Sequence, residues 1–303
     1  MTAAVTGATG YLGRFIVERL IEEGVAVRAW RRPGSDMRGL PSAVEWIDGD
    51  LASPDAHSAL VDGADMLVHS ALDHVPGQYR RGEGEDLPRY LRTNVGESLA
   101  LIAAARAAGV RRCVVISSRA VFGTNVSGPI GDDAPVRPDT NYGAAKAAIE
   151  AFVQCWGGEG WPIAALRPTG IYGLVVPAER SKWFDLVGRA IRGEAVAARS
   201  GTEVHGRDVA QAAWLLLKAD ASAVAGRMFN CSDIVVSTRD IVRLAQRSAG
   251  VSGPLPDISP APTNVMQCSG LKELGLDFGG WPLFEETIAD LVRAAARGEP
   301  ALA

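Results

Sequence analysis

The sequence predicts a doubly wound α/β fold, a parallel sheet covered by helices on both faces. Three observations carry that expectation. Short apolar runs alternate with helix-spaced stretches through the first half of the chain. The connections between successive runs are long enough to hold helices, as parallel pairing requires. The most β-rich run, Cys113-Val114-Val115-Ile116-Ser117, lies fifth among the strand-like segments, well inside the alternation.

Taken in order, Ala3 to Thr6 is a short apolar run, and Leu12 to Glu23 has helical spacing through Leu12, Phe15, Ile16 and Leu20. Val25 to Trp30, Val44 to Ile47 and Met66 to His69 read as strands. A long helix is expected from Leu87 to Ala108. After the Cys113 run come a helix from Tyr142 to about Cys155 and a strand from Ile163 to Leu166. Past Gly173 the rhythm weakens. Val251 to Thr263 reads as loop, and helical spacing returns at Asp208 to Lys218, Thr238 to Ala249 and Glu285 to Ala296. The expected division is a nucleotide-binding domain over 1–170 and a smaller lobe over 171–303, with part of 204–233 returning to the large sheet.

Composition excludes several classes. The 303 residues carry a net charge of −4, which argues against nucleic acid as a partner. No stretch approaches the unbroken apolar length of a membrane span, and the first residues run straight into a strand rather than a signal peptide. Cys113, Cys155, Cys231 and Cys268 lie far apart, as free thiols of a cytoplasmic protein would. The histidines show no metal-ligand spacing, so no metal site is expected.

Two motifs point to chemistry. Thr6-Gly7-Ala8-Thr9-Gly10-Tyr11-Leu12-Gly13 joins a strand to a helix. Gly7 allows a tight turn, Gly10 lets the backbone approach a pyrophosphate, and Gly13 lets helix and strand pack closely. The unpaired N–H groups of the helix start then face phosphates. The second strand ends in Trp30-Arg31-Arg32-Pro33-Gly34. The absence of an acidic residue there, with Arg31 the nearer contact, favours the 2′-phosphate of NADP over the ribose hydroxyl of NAD. Asp50, after the third strand, is open between accepting from an adenine amino group and capping the next helix.

Tyr142 and Lys146 stand one helical turn apart and share a face. An ammonium beside a phenol stabilises the phenolate and brings its pKa down from about 10 toward a usable range. Such a pair moves a proton to or from a substrate oxygen while hydride moves at carbon. Ser117-Ser118 closes the fifth strand, where a hydroxyl either orients a substrate carbonyl or feeds a turn.

With these residues in place the chain resembles the extended short-chain dehydrogenase/reductase family, the NAD-dependent epimerase/dehydratase group. The likeness runs through the glycine-rich turn, Gly49-Asp50-Leu51, Val68-His69-Ser70-Ala71, Asn94 and Ile116 to Gly123. It continues through Tyr142 to Lys146, Arg167 to Gly173 and Val204 to Ala210. The resemblance implies a seven-stranded Rossmann sheet with a C-terminal substrate lobe. It implies Tyr142 as acid/base, Lys146 as its partner and a grip on the nicotinamide ribose, and Ser118 as the substrate-orienting hydroxyl. Its cofactor contacts would be Gly7, Thr9, Gly10, Tyr11, Leu12, Gly13, Arg31, Arg32, Asp50, Leu51, Ser70, Ala71 and Asn94. Family dimers pair through two helices per subunit, here Leu87 to Ala108 and Tyr142 to Cys155. The chain departs from the family at Ser118-Arg119-Ala120, where sugar-nucleotide dehydratases carry Thr-Asp-Glu. Phe122 and Leu174 also replace the usual residues. The Arg31–Pro33 turn looks more like the NADP-using reductases.

On the substrate side, Asp73 to Arg92 is a polar insertion, open between a lid and a surface loop. Arg80 and Arg81 within it are candidates for an anionic substrate group, and His205 for the pocket wall. Asn94 either holds a water or packs. The leading expectation is an NADP-preferring oxidoreductase interconverting a carbonyl and a secondary alcohol on a small-molecule substrate. The alternatives are a nucleotide-sugar epimerase or reductase with tightly held NAD, and a non-catalytic dinucleotide sensor.

Overall fold

The computed structural model describes residues 1–75, 82–158 and 160–297. Seven strands form the large sheet in the order β3-β2-β1-β4-β5-β6-β9. They are β1 (Thr2–Thr6), β2 (Ala26–Arg31), β3 (Glu45–Asp48), β4 (Met66–His69), β5 (Arg112–Ile116), β6 (Ile163–Pro168) and β9 (Met228–Cys231). Every pairing is parallel. All of β4 and all of β6 are buried, which explains their unbroken apolar character. The chain builds outward from β1 in one direction and then returns to place β4 on its other side. The C-terminal ends of β1 and β4 therefore flank the crevice where ligands bind in such sheets.

Helices cover both faces. On one side α1 (Tyr11–Glu22) and α7 (Gly206–Lys218) close a core through Phe15, Ile16, Leu20, Val209 and Leu216. On the other, α2 (Pro54–Val61), α4 (Ser98–Ala107) and α5 (Asn141–Gly157) bury Leu60, Leu101, Ile102, Ile149 and Val153. The helix expected from Leu87 to Ala108 is not uniform. It starts as α3 (Leu87–Leu91) behind an Asp86 cap, passes through a π-helical turn over Arg92–Glu97, and continues as α4. The wide turn carries buried Asn94, whose side chain bonds backbone outside the helix.

The smaller layer pairs β7 (Gly170–Tyr172), β8 (Ser200–His205) and β10 (Ile234–Ser237) in the order β10-β8-β7. Against it pack α6 (Phe184–Ile191), α9 (Thr238–Ala249) and α11 (Gly280–Ala296), through Tyr172, Phe184, Ile241, Phe284 and Ile288. A Ser237–Asp240 capping box starts α9 at the residue that the spacing predicts. In contrast, α11 begins at Gly280, ahead of the expected Glu285, because Asp233 accepts from the Gly280 N–H. Two short helices, α8 (Ala221–Val224) and α10 (Ser269–Glu273), lead into and brace β9. That strand completes the sheet after the chain has made β7, α6 and β8 of the smaller layer. Among the described residues no helix is long and apolar enough to cross a membrane.

Candidate active site

The glycine-rich turn closes as its residues dictate. Gly7 adopts φ +71°, and a Cβ on it would lie 2.9 Å from the backbone of Ser70 and Ala71. A Cβ on Gly13 would lie 2.0 Å from the Gly7 carbonyl oxygen. Only glycines let β1, α1 and the end of β4 meet this closely. Gly10 caps α1 without any side-chain acceptor, and the first turn holds no acidic residue. Its N–H groups are therefore left for an anion, and the positive helix end favours one. This cradle fits the pyrophosphate of a dinucleotide.

Thr6 ties the two sides of the crevice. Its Oγ1 accepts from the N–H groups of Ser70 and Ala71 at 3.0 and 3.1 Å and meets His69 Nδ1 at 2.9 Å. His69 Nε2 contacts Ser98 Oγ at 2.9 Å, and Ser98 gives its proton to the Asn94 carbonyl. Nε2 must then carry the ring hydrogen, and Thr6 donates to Nδ1. Burial pushes the imidazole down to about 3, so it stays neutral. The Asn94 carboxamide accepts from Asp73 N–H and donates to the Asp73 and Tyr90 carbonyls. It packs and pins the segment after β4.

Across the crevice, Thr140 caps α5 by accepting from the Gly143 N–H, and so sets Tyr142 and Lys146 in the first two turns. Lys146 is buried and donates from Nζ to the Ile116 carbonyl at the end of β5, 2.8 Å away. Desolvation lowers its pKa to about 8, while Glu150 pulls it upward. Ser118 caps the 3₁₀ turn Arg119–Phe122, its Oγ accepting from the Ala120 N–H at 3.1 Å. The hydroxyl proton of Ser118 is thus left to donate. Neighbouring Ser117 turns inward and donates to Glu150 at 2.5 Å. Glu150 also receives both arms of Arg167, each at 2.8 Å, in an ion pair that is almost wholly buried.

The profile of the NAD dependent epimerase/dehydratase family matches residues 3–232. The chain belongs to that family. It is 33% identical over 151 residues to UDP-glucose 4-epimerase of Streptomyces lividans, covering 49% of this chain and 45% of that protein. It is 34% identical over 182 residues to a 3 beta-hydroxysteroid dehydrogenase/Delta 5-->4-isomerase of Mycobacterium tuberculosis, covering 56% and 46%. The chain thus spans about half the length of these curated relatives. UDP-glucose 4-epimerase of Thermotoga maritima, solved with UDP-glucose, superposes with a TM-score of 0.81 over 99% of this chain and 100% of that one, at 19% identity. That last likeness concerns the fold.

Within this family member, several expected contacts take a different form. Arg31 is held across the β2–β3 edge by Asp48 at 2.8 Å, and Arg32 reaches Asp73 only at 3.9 Å. Asp50 neither caps α2 nor faces outward alone, since its Oδ1 accepts from Ala52 N–H and Ser53 Oγ and shapes the turn. Leu51 is buried among the residues under α2. Tyr11 reaches over to the smaller layer, donating to the Gly173 carbonyl at 2.6 Å and accepting from Lys182 N–H. His205 was expected at the pocket wall. Its ring is buried between Phe15 and Tyr172, and Nδ1 accepts from Arg207 N–H to cap α7. Burial pushes it down to about 4. Arg80 and Arg81 lie outside the described residues.

Some residues at the site carried no sequence signal. Glu83 accepts from Asn141, the residue before Tyr142, at 2.7 Å. Its second oxygen and the Tyr90 hydroxyl are buried with no hydrogen-bond partner among the described residues. Both belong to the insertion after β4, and only the fold brings them to α5.

Proposed function

We propose that the chain is an NAD(P)-dependent oxidoreductase that interconverts a carbonyl and a secondary alcohol on a small molecule, with Tyr142 as acid/base. One observation supports this most. Tyr142 and buried Lys146 share the first turns of α5, and Lys146 is anchored to the end of β5 next to Ser118. Nicotinamide, when bound, supplies or takes up the hydride. The residues do the rest. Ser118 donates its hydroxyl proton to the substrate oxygen and fixes its direction. Tyr142 passes a proton to that oxygen in reduction and removes one in oxidation. Lys146, still largely protonated at neutral pH, stabilises the phenolate between turnovers.

NADP is placed ahead of NAD. Because Asp48 already holds Arg31, Arg32 is the guanidinium better able to meet a 2′-phosphate. We place a homodimer interface on α3, α4 and α5, where Leu91 and Phe152 are exposed and Phe152 lies against Trp156. The four reduced cysteines suit the cytoplasm.

The test follows reduced nicotinamide by absorbance against a panel of ketones and secondary alcohols. Turnover of free NADPH with at least one class is expected. Tyr142→Phe should bind NADPH as the unaltered enzyme does, yet lose turnover by about a hundred- to ten-thousandfold. Unchanged turnover in that variant refutes the assignment. A second reading, a nucleotide-sugar epimerase, is favoured by the Streptomyces relative. It requires NAD to copurify and UDP-glucose to be consumed without net change in cofactor absorbance.

A further inference from the structure

Arg180 enters the nucleotide crevice from the segment between β7 and α6, not from the sheet. Its Nη2 donates to the carbonyl oxygen of Thr9, in the middle of the glycine-rich turn, at 3.0 Å. A cation is thereby held against the loop whose N–H groups face the phosphates. No residue of the first turn of α1 offsets it.

The acidic groups nearby already have cations of their own. Asp36 lies 3.7 Å from Arg180, but Arg38 holds the same carboxylate at 2.7 Å. Arg38 also meets Glu179. Arg14, on α1, is buried and donates only to backbone, to the carbonyls of Asp36, Arg38 and Val176. Arg38 and Arg180 share the Asp36 carboxylate, Arg38 also takes Glu179, and Arg14 is close enough to feel the charges of Arg180, Arg38, Asp36 and Glu18 at the mouth of an anion cradle. Arg14 and Arg38 are committed to loop structure. Among the described residues the Arg180 side chain makes one hydrogen bond and one long ion contact, so most of its donors remain for a ligand.

We propose that Arg180 is a phosphate-binding residue of the dinucleotide site, contributed by the smaller layer. It exchanges its long contact with Asp36 for a charge-assisted bond to a cofactor phosphate oxygen. Two phosphates present this chemistry, the pyrophosphate and the 2′-phosphate of NADP. This rests on the dinucleotide reading above and goes beyond it. The segment that carries Arg180 continues through Lys182, which donates its N–H to Tyr11, into α6. Cofactor binding would then stiffen the wall of the substrate side.

The experiment measures dissociation constants of NADP⁺, ADP-ribose and adenosine 2′-phosphate by calorimetry for the unaltered protein, Arg180→Gln and Arg180→Lys. Arg180→Gln is expected to weaken NADP⁺ by about ten- to a hundredfold, and Arg180→Lys by less. A matching loss with ADP-ribose assigns the contact to the pyrophosphate; a loss confined to adenosine 2′-phosphate assigns it to the 2′-phosphate. Unchanged affinity for all three probes overturns the proposal and leaves the dinucleotide reading standing. Failure of the unaltered protein to bind NADP⁺ or NAD⁺ overturns both. If Arg180→Gln fails to fold, Arg180→Lys decides: a smaller loss of NADP⁺ affinity that widens as salt is raised supports the charge contact, and affinity equal to that of the unaltered protein at every salt concentration overturns it.

Discussion

Lys146 donates its ammonium to the backbone carbonyl of Ile116, at 2.8 Å, which fastens half of the proton-transfer pair to the end of β5. This bond pre-orients the lysine below Tyr142 before any ligand arrives. The cost is a buried charge, and that cost has a pH signature.

Burial lowers the lysine from 10.5 to about 8 in the folded protein. Between those values the unfolded chain binds more protons than the folded one, so stability rises with pH across that window. Below pH 8 both states are protonated and the charged lysine remains a burden. Lys146→Met should flatten this rise. Urea unfolding at pH 8 and pH 10 checks it, and the difference between the two proteins should shrink at the higher pH.

The Glu150–Arg167 pair makes a second prediction. Both side chains are about 4% exposed and doubly bonded. Glu150→Gln strands a buried guanidinium and should cost about 3–5 kcal/mol. Replacing both residues with apolar ones of similar size should cost less than either single change. A double-mutant cycle by urea unfolding gives the coupling.

Asp208 titrates in the opposite sense to Lys146. Burial raises it from 3.8 to about 6, and the Gly279 N–H partly offsets that rise. The folded state then holds the extra proton between those values, so this residue's contribution to stability falls as pH rises through the window. Asp208→Asn cannot ionise and keeps the acceptor. Its melting temperature should exceed that of the unaltered protein at pH 7 and equal it near pH 4.

Gly13→Ala tests the cradle directly. The added methyl carbon would sit 2.0 Å from the Gly7 carbonyl oxygen and 2.7 Å from the Ala8 Cα, both backbone. Neither can swing aside, so α1 must move off β1. Nucleotide affinity and melting temperature should fall together, whereas Gly24→Ala, with nothing within 4 Å, should leave affinity unchanged.

The large sheet was legible because its central strands, β1, β4 and β5, are almost wholly buried and read as short apolar runs. Met66 to His69 begins and ends where the pattern places it. The glycine turn was legible because the close approach at Gly7 and Gly13 admits no other residue. The π-turn around Asn94 was not, because its spacing looks helical and its cause is a bond to distant Asp73. The same holds for Arg14, Arg180 and Glu83, which act through partners far away in the chain. The surroundings of His205 were hidden for a related reason. Its packing between Phe15 and Tyr172 depends on two elements that periodicity does not bring together.

The late arrival of β9 limits how this molecule can be dissected. Ala165 N–H and Thr169 N–H of the β6 border donate to the carbonyls of Arg227 and Cys231, residues that follow β7, α6 and β8 of the smaller layer. A fragment cut after residue 170 would carry a bare, apolar ribbon edge, the template on which chains stack into aggregates. Nucleotide binding in this protein is therefore best studied by point changes in the intact chain, since truncation removes solubility along with the lobe.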